Sequence, residues 1–130
     1  MAAPRLLLAC GDRWVTHLRM PGLFRAAGFR VDLMYQGANI IHRSWRLDDV
    51  QEVRECSLAE AIRRRLAERP GRYRRVFWAD DPALISAGAL WDDPLIRASL
   101  PFEAGNIGPG DLVSKLGFAR LAAEAGIPSP

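Results

Sequence analysis

Cysteine is scarce in this chain, with two thiols, Cys10 and Cys56, among 130 residues. They form no CxxC pair and are too few for a disulfide framework, so a reducing, cytoplasmic compartment is expected. No apolar run approaches the roughly 18 residues that a membrane-spanning helix needs, and Arg5 precedes no stretch of signal-peptide length. A Walker-type phosphate loop is excluded because no Gly stands directly before Lys115 to complete GxxxxGK[ST] from Gly110. A dinucleotide fingerprint is missing too. The first apolar run is followed only by Gly11, and the later Gly105, Gly108 and Gly110 are spaced GxxGxG. Neither His17 nor His42 stands near a GxSxG turn, which removes the usual nucleophilic triad. The two His and two Cys match no zinc spacing, so packing is expected of the thiols, a solvated surface of the imidazoles, and no metal site.

Lysine is almost absent as well: Lys115 is the only Lys among 18 basic residues, the rest being Arg. The formal net charge of +3 is small, and an Arg-for-Lys skew accompanies compositional bias as readily as phosphate recognition, so no nucleic-acid partner is expected. The densest basic stretch comprises Arg63, Arg64, Arg65, Arg69, Arg72, Arg74 and Arg75. Glu60 and Glu68 flank Arg64 by one helical turn on either side, so part of this charge reads as paired on a solvated face.

What remains is an ordinary globular composition, 49% apolar and 25% charged. A chain of this length buries roughly two-thirds of its unfolded surface without needing a metal or disulfide staple. Residues 5–9 (RLLLA) form a short continuous apolar run closed by Cys10-Gly11-Asp12, the pattern of a strand buried on both faces. Residues 14–27 read as a helix interrupted at Pro21, with Pro21 in the first turn of a second piece and Gly28 as its C-cap. A second strand over 29–34 completes a β-α-β unit, which calls for parallel strands and a right-handed connection. Residues 35–41 read as a loop, 44–49 as a helical turn and 50–53 as a short third strand. Ser57 and Glu60 form a capping box for a helix whose Leu58, Ile62 and Leu66 mark the buried stripe until Pro70-Gly71. Residues 75–79 (RVFWA) form another strand, and Asp80-Asp81-Pro82 opens a helix over 82–90. A last strand is expected at 99–102, a Gly-rich loop at 103–110, and a final amphipathic helix capped by Asp111. The order predicts an α/β chain of three αβα layers around an open, mostly parallel sheet of about five strands.

In such sheets ligands settle outside the carboxyl ends of the strands. The loops there hold Gly11, Asp12, Arg13, Asn39, Asp80 and Asp81. Gly11 permits a close backbone turn, Asp12 and Arg13 suit an ammonium and a carboxylate, and Asn39 can donate and accept. Asp80 and Asp81 are also chemically sufficient as helix caps.

Taken in order, LLLACGD, LFRAAGFRVDLM, HRSWRLDDVQEV and RVFWADDPALI resemble the Rossmann-like N-terminal, pre-ATP-grasp domain of the ATP-grasp superfamily. The segment GDLVSKLGFARLAAEAGIPSP is similar to that family's linker, in which a Lys opens a helix ending in Ala-Gly-Ile-Pro-x-Pro before the ATP-grasp domain. The resemblance implies a pre-ATP-grasp domain over 1–110 and a linker helix over 111–130. It further implies a ligase that activates a carboxylate as an acyl phosphate with ATP and couples it to an amine. Lys115 matches the Lys that contacts ATP phosphates, a role suited to a flexible point charge. Gly11, Asp12, Arg13, Asn39, Asp80 and Asp81 fall on the substrate side. The lobes enclosing ATP and the ligands of Mg would follow the Ile-Pro-x-Pro sequence, so truncation and an inactive isolated domain are expected. The oligomeric state is left open, a homodimer included. A free-standing, non-catalytic small-molecule-binding module is the alternative.

Overall fold

In a computed structural model the structure describes residues 2–13, 15–37, 41–100, 108 and 115–128. Four strands, β1 (Arg5–Cys10), β2 (Arg30–Tyr35), β3 (Asp49–Glu52) and β4 (Arg75–Trp78), form one sheet in the order β3-β2-β1-β4. Every pairing is parallel, with Arg5 opposite Arg30, Cys10 opposite Tyr35 and Ala9 opposite Trp78. Among the described residues five α-helices accompany it: α1 (Met20–Ala26), α2 (Leu58–Glu68), α3 (Asp81–Ala89), α4 (Pro94–Ser99) and α5 (Lys115–Glu124). The predicted α/β class and parallel sheet hold, with four strands among the described residues rather than about five.

The central strands are apolar on both faces because both faces are covered. Leu6, Leu8, Cys10, Val31, Leu33 and Tyr35 pack with Ile41, Met20, Phe24 and Phe29 on one side. On the other, Leu7, Ala9 and Met34 meet Leu58, Ile62, Ala83, Ala87 and Ile96 of α2, α3 and α4. Each fully buried Leu of β1 and β2 contributes roughly 1.5–3 kcal/mol of hydrophobic stabilisation. The helix predicted over 14–27 is split as expected. A 3₁₀ segment, Val15–Arg19, runs into α1, which carries Pro21 in its first turn, where a missing N–H costs nothing.

Three expectations need correction. Ser99 is the last residue of α4, not the start of a strand, because Asp93 caps a helix there by accepting the Leu95 and Ile96 N–H groups at 2.9 and 3.3 Å. The remainder of the predicted strand, residues 101–102, lies outside the described residues. The short helical turn is Ile41–Arg43, upstream of the predicted 44–49. Arg65 is not on a solvated face: it is buried on α2 and donates to Gln51, to Asp49 at 3.4 Å and to the Tyr73 hydroxyl at 3.3 Å.

That Arg65 network continues to Asp32, fully buried in β2. Its carboxylate accepts Arg5 Nη1 at 2.6 Å, the Tyr73 hydroxyl at 2.8 Å and Arg72 Nη2 at 3.4 Å. Burial, and then donation to Asp32, push the Tyr73 phenol above its ordinary pKa. A buried charge is tolerable only when so partnered. The network fastens β1, β2, β3, α2 and the segment before β4 toward the amino-terminal end of the sheet, leaving the carboxyl end free for other work.

Candidate functional site

The strand order reverses at β1: the chain steps outward through β2 and β3, then crosses back through α2 to place β4 on β1's other side. A crevice outside the carboxyl ends of β1 and β4 is therefore the ligand position of this architecture. Cys10 ends β1 and is followed by Gly11-Asp12-Arg13, and β4 is followed by Ala79-Asp80-Asp81.

Asp80 joins the two loops. Extended at the N-cap of α3, it accepts the Ala83 N–H at 2.9 Å through Oδ1, which satisfies a helix donor without an intrahelical partner. The same carboxylate accepts the Gly11 N–H, shared between its oxygens at 2.9 and 3.1 Å, and the Asp12 N–H at 2.9 Å through Oδ2. Gly11 is required by this closeness. A Cβ there would stand 2.9 Å from Pro82 Cβ, 3.1 Å from the Ala83 nitrogen and 3.3 Å from Asp80 Oδ1. The backbone of the β1 loop thus lies directly on the first turn of α3.

Around this brace the structure places the predicted residues as follows. Gly11, Asp12, Arg13, Asp80 and Asp81 come together at the ends of β1 and β4; Asp12 is half-buried, while Arg13 and Asp81 are exposed. Asp12 Oδ1 accepts the N–H of Arg13 at 2.8 Å. Asn39 lies outside the described residues, as does Asp111. Lys115 is the first residue of α5.

Two further residues belong to the site. Cys10 is fully buried at the end of β1, and burial first, then the Asp80 charge, push its thiol far above the ordinary range. His17, expected on a solvated surface, is only 3% exposed. Its Nε2 stands 3.9 Å from Asp80 Oδ2, and its buried Nδ1 has no hydrogen-bond partner. The Val15–Arg19 segment folds it beneath the loop, 63 positions before the carboxylate it faces, so no local spacing announces it. His42, also expected on a solvated surface, is half-buried and stacked on Tyr35 with ring centroids 5.0 Å apart, and its buried Nδ1 likewise has no hydrogen-bond partner.

The chemistry available at the crevice is a fixed turn, a half-buried carboxylate and an exposed guanidinium. Among the described residues no helix is long and apolar enough to cross a membrane. No protein-family model, curated protein or solved structure matches the chain.

Proposed function

We propose that this chain is the substrate-side domain of an ATP-dependent ligase that makes an acyl phosphate from a carboxylate and couples it to an amine. The single observation that carries this reading is what occupies the backbone donors at the switch point. In a phosphate-binding α/β site the N–H groups of the first loop and of a helix N-terminus face the anion. Here the Gly11, Asp12 and Ala83 N–H groups all donate to Asp80. A fixed carboxylate stands where a phosphate would bind, and like charge repels it. The crevice suits a small substrate bearing an ammonium, drawn by Asp12, and a carboxylate, paired with Arg13.

These residues do not fit polyphosphate, so ATP and Mg are assigned to the downstream lobes that the resemblance implies, with Lys115 at the head of α5 as this chain's contact to the phosphates. The domain alone then binds substrate without turning over ATP. Amide NMR spectra recorded with a panel of amino acids and small carboxylates test this. Shifts are expected at Gly11, Asp12, Arg13 and the first turn of α3, and are lost in Arg13→Ala. Shifts confined to the opposite end of the strands, no shift with any amino acid or carboxylate of the panel, or ADP release by this chain alone would overturn it.

A further inference from the structure

Beneath the crevice, the Cys10 thiol, the His17 imidazole and the Asp80 carboxylate each bring one ligand atom within 4.8 Å of the others, all three side chains being buried. These are three different donor types, sulfur, nitrogen and oxygen, from β1, the 3₁₀ segment after it and the cap of α3. We propose that Cys10, His17 and Asp80 form a zinc-binding site at the floor of the switch-point crevice, with the fourth coordination position left to water or to a ligand.

The unsatisfied chemistry of the pocket supports this. A buried imidazole ordinarily has its hydrogen bonds met, yet His17 Nδ1 has no partner and the other ring nitrogen is 3.9 Å from Asp80, beyond hydrogen-bond range. Asp80 can take a cation by releasing one contact. An ionised carboxylate offers about four lone-pair directions, and the Gly11, Asp12 and Ala83 N–H groups engage all four only because the Gly11 N–H is shared between both oxygens; confined to one oxygen, it leaves a direction for the metal. Those bonds also hold the carboxylate in place, as hydrogen bonds to metal-ligating carboxylates do.

Charge and size both favour zinc. A thiolate, a carboxylate and a neutral imidazole balance Zn²⁺, and this borderline-soft ion accepts all three donor atoms. Zinc bonds of about 2.0–2.3 Å place tetrahedral ligand atoms roughly 3.3–3.8 Å apart. The separations of up to 4.8 Å therefore close by at most about 1.5 Å, within the reach of side-chain torsions. Binding transfers the thiol proton to solvent, so one proton is released per zinc, and a bound cation reverses the electrostatics that otherwise hold the thiol protonated.

The test uses the full chain stripped with EDTA and titrated with Zn²⁺ against a chromophoric chelator, with Co²⁺ as a spectroscopic substitute. One equivalent per chain is expected, with a thiolate-to-cobalt charge-transfer band, and both are lost in Cys10→Ala and His17→Gln. Cys56→Ser and His42→Gln control for adventitious binding and should bind as the unaltered chain does. If the Cys10 or His17 variant does not fold, as judged by circular dichroism, the Cys56→Ser chain decides: a charge-transfer band at one equivalent there can come only from Cys10. Absence of that band, affinity unchanged in folded Cys10→Ala or His17→Gln, or loss of binding in Cys56→Ser would overturn the site. Substrate-induced shifts in EDTA report the ligase reading separately, so either conclusion can fail alone.

Discussion

Replacing Asp80 by Ala should uncouple the β1 loop from α3. The Ala83 N–H loses its cap, worth about 1 kcal/mol. The Gly11 and Asp12 N–H groups, which donate to Asp80 at 2.9–3.1 Å, lose their acceptor in a half-buried position. Each costs about 1 kcal/mol, near the low end for an unsatisfied buried donor because the loop can relax toward water. The total is about 3 kcal/mol, or a fall in Tm on the order of 10 °C for a domain of this size. Asp80→Asn keeps one acceptor oxygen and should lose about half as much. Asp81→Ala, one residue on and exposed, removes only a first-turn charge and should cost below about 1 kcal/mol. Urea unfolding in EDTA, which removes any metal contribution, gives these differences. Amide hydrogen exchange locates them, with Gly11 and Asp12 exchanging faster in Asp80→Ala and unchanged in Asp81→Ala. A loss near 1 kcal/mol with protected Gly11 and Asp12 amides would mean that Asp80 is a helix cap and nothing more.

Asp32→Ala should cost about 3 kcal/mol by stranding the largely buried Arg5 guanidinium and the Tyr73 hydroxyl, while the partly exposed Arg72 turns to water, and Asp32→Asn less, because an acceptor remains; a urea-unfolding loss under about 1 kcal/mol for Asp32→Ala refutes the brace. Stability should also fall on the alkaline side. The Cys10 and Tyr73 pKa values are raised in the fold, so above about pH 8.5 for the thiol and about pH 10 for the phenol the unfolded chain binds fewer protons than the native one. Their contribution is complete below those values and declines as pH rises through them. Urea midpoints between pH 7 and 10.5 in EDTA check this, and in Cys10→Ala the part of the decline that begins near pH 8.5 should vanish. At pH 8, iodoacetamide should modify half-buried Cys56 in the native chain and reach buried Cys10 only after unfolding; equal labelling refutes the burial argument.

The strands were readable because a sheet covered on both faces leaves short, mainly apolar runs: RLLLA is unbroken after Arg5, and RVDLM is interrupted only by Asp32, whose buried charge is partnered by Arg5 and Tyr73. The errors came from weighing residue identity above position. Leu58, Ile62 and Arg65 follow i, i+4 and i+7, so periodicity already put Arg65 on the buried face of α2; its charge suggested solvent, and only Asp49, Gln51 and Tyr73 make its burial tolerable. Asp92-Asp93-Pro94 repeats the helix-opening signal of Asp80-Asp81-Pro82, which was sufficient to predict α4. The site divides along the same line. Gly11 followed from the turn after β1, and Asp80 from its place before a helix. Neither sequence neighbourhood reveals that they touch, because the contact exists only once β4 lies beside β1. His17 is the extreme case: its meaning comes from a carboxylate and a thiol that the strand order brings to it. The buried polar groups of this fold thus act through tertiary partners. Asp32 and Arg65 use theirs to hold the sheet, whereas His17 and Cys10 carry chemistry that the sheet does not need.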